Sequence, residues 1–105
     1  MKEEEKVIID SDHIEELIKA EMYREALAYI VKKFYKAMRI ELTDKGALEI
    51  SINMFETVKS NTDLEEKQIL ANFIVMSIQE EQTFFNIIRI SLLNVGLKLM
   101  KKEEA

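Results

Sequence analysis

Apolar and polar positions alternate along this chain with the period of helices. Residues 69–78, ILANFIVMSI, contain only two polar side chains, Asn72 and Ser77. At roughly 100° per residue the apolar side chains of such a stretch point all round a helix, which then needs neighbours on every side. This stretch is expected at the centre of the fold. The segments around it are amphipathic and suited to surround it. Ile14, Leu17 and Ile18 form one stripe, and Tyr23, Ala26, Leu27, Ile30, Val31, Phe34 and Met38 form another at i, i+3, i+4, i+7 spacing. The two stripes are out of phase by about half a turn, so one straight helix would expose one of them. The pattern therefore predicts a break near residues 20–22, with a short helix over 12–20 and a long one over 22–41.

Polar clusters mark the remaining ends. Asp12-x-x-Glu15 has the spacing of a capping box and opens the first helix. Before it, Val7, Ile8 and Ile9 form a β-branched run, expected to lie extended against the bundle or a partner. Thr43 is a good N-cap, with Leu42 and Ala47 as a small hydrophobic staple. The helix it opens runs to about residue 59 and should bury Ala47, Leu48, Ser51, Met54, Phe55 and Val58. Residues 60–63, SNTD, form the clearest turn, with Asn61 suited to the left-handed conformation. Thr62-x-x-Glu65 then opens a fourth helix as a second box. Residues 79–83, QEEQT, cover a full polar turn: either the chain reverses there with Thr83 as a new cap, the favoured reading, or one helix of roughly 40 residues continues past the body into solvent. The fifth helix carries Phe84, Phe85, Ile88, Leu92, Val95 and Leu99 on one side. Ile87, Ile90 and Leu93 broaden that side, and Gly96 interrupts it.

Two short phrases resemble known families. Residues 23–27, YREAL, resemble the opening of a tetratricopeptide-repeat helix, but residues 57–63, TVKSNTD, do not repeat the phrase about 34 residues later. Residues 42–48, LTDKGAL, resemble the helix opening after the wing of MarR-type regulators. No turn-rich hairpin and no separate basic recognition helix precede them. Both phrases are read as helix starts.

Composition sharpens this into an architecture. The chain has no Pro and only two Gly among 105 residues, so few corners of the kind strands and linkers use. We expect an all-α, compact bundle of four to five helices, with residues 1–11 as a flexible acidic tail and short extended segment and 12–102 as a single domain. Abundant Ile, Glu and Lys lean towards a thermophilic source. Residues 1–6 lack an apolar signal core, and residues 84–100 are broken by Asn86, Arg89, Asn94 and Lys98. The expectation is a cytoplasmic protein with no membrane crossing.

Candidate chemistry is sparse. With no Cys and one His, the usual nucleophile–base pairs and thiolate metal sites cannot be assembled. His13 with Glu16 offers an i, i+3 pair, but carboxylate-bridged di-iron bundles require more. We expect no catalytic residue, no metal and no cofactor. Two surfaces remain. The apolar breadth of the fifth helix predicts an interface at Phe84, Phe85, Ile88 and Leu92, where the chain meets a copy of itself, a dimer being favoured, or another protein. Lys32, Lys33, Lys36 and Arg39 lie opposite the apolar stripe of the second helix. They define a basic face for an acidic partner or a phosphate backbone, with Arg89, Lys98, Lys101 and Lys102 as a conceivable extension. The net charge of −5 weighs against a dedicated nucleic-acid binder. The leading expectation is thus a non-enzymatic, self-associating interaction or assembly module. The alternative is an accessory nucleic-acid-associated subunit using Lys32, Lys36 and Arg39.

Overall fold

The structure, a computed structural model, describes residues 7–104, with side chains described from 7 to 96. The acidic tail expected over residues 1–6 and the side chains of Lys98, Leu99, Lys101 and Lys102 lie outside the described residues. Five helices follow one another: α1 Ser11–Lys19, α2 Tyr23–Ala37, α3 Asp44–Lys59, α4 Glu66–Gln79 and α5 Glu81–Glu104. No strand occurs among the described residues, and the helices pack as a compact all-α bundle. None of the described helices is long and apolar enough to cross a membrane.

The helix ends follow from local hydrogen bonding, with several shifts from expectation. α1 is capped by Asp10 rather than Asp12: its carboxylate accepts from the backbone N–H of Asp12 at 3.0 Å and of His13 at 3.4 Å. Two acids compete for the cap here, and Asp10 is the one in an extended conformation. The break between α1 and α2 falls where the phase shift places it. Glu21 turns left-handed, at φ 59°, its N–H bonds to the Ile18 carbonyl, and the Met22 N–H bonds to the Leu17 carbonyl. This is a Schellman closure without glycine. The same device ends α2 at Ala37, short of the expected 41. Arg39 sits at φ 64°, with the Ile40 N–H on the Tyr35 carbonyl.

α3 opens as expected, with the Gly46 N–H donating to Thr43 Oγ1 at 2.9 Å. Its far end is closed differently. Asn61 does not turn left-handed; its side-chain amide donates to the Thr57 carbonyl at 2.8 Å, and Thr62 Oγ1 donates to the Val58 carbonyl at 3.0 Å. Thr62 is thereby used by α3, and α4 takes its box from Glu65 and Gln68, whose Oε1 accepts the Glu65 N–H at 2.9 Å. The reversal between α4 and α5 occupies one residue, Glu80. Its carbonyl accepts the Phe84 N–H at 3.0 Å, and Thr83 lies inside α5 rather than capping it.

The centre of the bundle is α2, not the 69–78 stretch. α2 packs against α1, α3 and α4, and reaches α5 through Phe34 and Tyr35. α4 lies to one side: Ile69, Leu70, Phe73 and Ser77 face inward, while Val75 and Ile78 face solvent. An all-round apolar helix is wrapped only if the rest of the chain can reach round it. With α2 seated between α1 and α3, too little chain remains to cover the back of α4.

The core is aromatic at its heart. Phe34 meets Phe84 and Phe85 edge-on, with centroids 4.7 and 4.8 Å apart, and Phe73 meets Phe84 at 6.2 Å. Leu27, Ile30, Ile50, Met54, Phe55 and Ile88 fill the rest. The extended segment before α1 alternates, Val7 and Ile9 packing on the core and Ile8 pointing out. Tyr35 is buried, and its hydroxyl donates to the Ile88 carbonyl at 3.3 Å. Burial pushes this phenol above its ordinary pKa, with nearby Arg89 pulling the other way. One ionic cluster joins three helices: Glu66 accepts from Arg24 Nη2 at 2.9 Å and from Lys59 at 3.4 Å. The Arg24 hydrogen bonds hold the Glu66 carboxyl below its ordinary range; burial opposes this and Lys59 assists.

Candidate interaction surfaces

The expected apolar interface is displaced on its own helix. Phe84, Phe85 and Ile88 are buried within the chain, so three of the four residues assigned to an outer contact belong to the core. Leu92 is 38% exposed, at the edge of the packed face. The error has a physical cause. Apolar residues cover nearly the whole circumference of α5, and such a helix does not say which side the body takes. The body takes the side of Phe84, Ile88, Ser91 and Val95. What remains outside is Ile90, 60% exposed, and Leu93, 64% exposed, spaced i, i+3 on the opposite face. The outer side of α4 is apolar too, with Val75 50% and Ile78 74% exposed. The breadth of apolar pattern in both helices was readable beforehand; the side was not.

The basic residues are brought together in part. Lys32, Lys33 and Lys36 line a half-open groove of about 570 Å³ above α2, walled by α1 and by the start of α3. Arg39 is not among the lining residues; it sits at the left-handed cap beyond the end of α2 and has an interaction of its own. Arg89 lies on α5 beside Asn86, away from the groove, and does not extend it.

Neither a convex basic strip nor a uniformly positive surface results. Lys32 is engaged by Asp44, the first residue of α3. The Lys33 ammonium sits 5.4 Å above the Tyr29 ring. That ring is also held from two sides. His13 meets it edge-on at 4.8 Å, and its hydroxyl accepts the Asp10 N–H at 3.0 Å. Leu17, Met22, Ala28, Ala47 and Leu48 give the groove an apolar lining, and Glu25 adds a carboxylate towards the start of α2. The sequence signal for this groove was present. Tyr29, Lys32, Lys33 and Lys36 repeat at i, i+3, i+4, i+7, but read alone they look like a solvated outer face.

His13 faces Tyr29 and stands 4.0 Å from Glu16. Among the described residues no group of three His, Cys, Asp or Glu is placed to hold a metal ion. The fold and these two surfaces place the chain in the class of small all-α bundles that carry both an apolar ridge and a groove. Comparison with protein-family models, with curated proteins and with solved structures finds no match.

Proposed function

We propose that this chain is a small, non-enzymatic interaction module that associates with a second copy of itself through the outer face of α5. The observation that carries the reading is the pair Ile90 and Leu93. Both are more than half exposed, on the side of α5 opposite the one whose Phe84, Ile88 and Ser91 are buried in the core. Large apolar side chains repeated along one helix face mark contacts more often than isolated ones do. A two-fold related pair of such helices is the commonest way to cover them.

Light scattering at high micromolar concentration tests the reading. A dimer is expected for the natural chain and a monomer for the double substitution Ile90→Glu, Leu93→Glu. A strict monomer for the natural chain at that concentration would remove the proposal. The nucleic-acid reading has weaker support, because Lys32 already holds Asp44, Glu25 shares the groove, and Arg39 lies outside it.

A further inference from the structure

The groove over α2 is a different surface from the α5 ridge, and its charges are unevenly distributed. The three lysines occupy the end towards the close of α2. The aromatic and apolar residues follow, and Glu25 stands at the other end. From Glu25 to Lys36 the helix rises by about 16 Å. Lys32 is paired with Asp44, whereas Lys33 and Lys36 have no carboxylate partner among the described residues. A volume of about 570 Å³, mostly apolar with the lysines gathered at one end, lies within the usual range for a ligand pocket.

We infer that this groove binds an elongated anion with a single charged head and an aliphatic body. The head, a carboxylate, meets Lys33 and Lys36. The body runs past Tyr29 and Leu48 to Leu17 and Met22. The distribution of charge selects this occupant over an acidic helix from a partner protein. Such a helix carries carboxylates along its length and would set some of them against Glu25 and Asp44. A ligand charged at one end only keeps clear of Glu25, while Asp44, at the lysine end, is already held by Lys32 and leaves Lys33 and Lys36 for the head.

Isothermal titration of the full chain with dodecanoate, kept below its micelle concentration, is the test. Acetate supplies the head without the body, and dodecyltrimethylammonium supplies the body with the opposite head. Saturable binding of one dodecanoate per chain is expected, with no detectable binding of acetate and binding of the ammonium weaker by about tenfold or more. Lys33→Glu with Lys36→Glu, both on the solvent side of α2, should weaken dodecanoate by about tenfold or more, with the helical circular dichroism unchanged. Leu17→Gln should weaken it through the body. The α5 variant Ile90→Glu, Leu93→Glu should bind dodecanoate as the natural chain does, which separates this site from self-association. Equal binding of carboxylate and ammonium by the natural chain would overturn the inference. So would dodecanoate binding that is indifferent to the two lysine substitutions, or no saturable binding at all.

Discussion

Two residues show how backbone strain and charge act one at a time. Glu21 occupies a left-handed conformation, φ 59°, that costs a side-chain-bearing residue roughly 1–2 kcal/mol. Glycine relieves that strain but adds freedom to the unfolded chain. The balance predicts that Glu21→Gly stabilises the fold by about 0.5–1 kcal/mol, readable as a higher urea midpoint. A loss of stability would mean that the Glu21 side chain supports the turn. Glu66 joins Arg24 of α2 and Lys59 of α3 to the first turn of α4. Because folding lowers its pKa, its contribution is full above the ordinary value near 4.5 and fades as pH falls through the lower folded value. Glu66→Gln should therefore cost about 1 kcal/mol at pH 7, the partners being partly solvent-screened. The gap between the two proteins should close towards pH 3. Chemical denaturation at several pH values reads this directly, and a gap that widened on acidification would contradict the assignment.

Among the elements, α5 is the instructive one. Its apolar residues were all identifiable, yet residues one or two positions apart have opposite fates: Ile88 is buried, while Ile90 is open. Phe84 touches both Phe34 and Phe73, so Phe84→Ala opens a cavity in the aromatic centre and should cost about 3–5 kcal/mol. Leu93→Ala, measured at low protein concentration, should change stability by no more than about 0.5 kcal/mol. Thermal melts of the two variants would show whether the inward and outward faces are correctly assigned; equal losses would show that they are not. α2 teaches the complementary lesson. Its clean apolar stripe suggested a helix on the outside of the bundle. It is instead the most enclosed, with its first turn around Glu25 and the Tyr29, Lys32, Lys33 and Lys36 stripe left open. Gly96 in α5 stands in open space, so close helix approach is not the reason for it.

At the scale of the molecule, a chain of 105 residues has limited means of covering its own apolar surface. Five helices enclose one core around α2 and leave the backs of α4 and α5 uncovered. Each large aliphatic side chain moved out of water contributes about 1.5–3 kcal/mol, against the cost of bringing two molecules together. A ridge as short as Ile90 and Leu93 thus gives a weak, concentration-dependent dimer rather than a permanent one. The groove lies among α1, α2 and α3, while the ridge is on α5, so the two surfaces can act independently.

By itself, the order of residues determined the helical class, a count of four to five helices and the approximate place of most breaks. These depend on neighbours three or four positions apart, on caps and on phase, all of which are local. It also indicated that α4 and α5 are too apolar for one-sided burial. Tertiary structure alone decided which helix is central, which side of α5 the body uses, and that the lysines of α2 lie between two walls rather than on an open face. Those outcomes depend on how helices distant in the chain share a limited volume. A helix apolar on every side carries no mark of which side its neighbours will occupy.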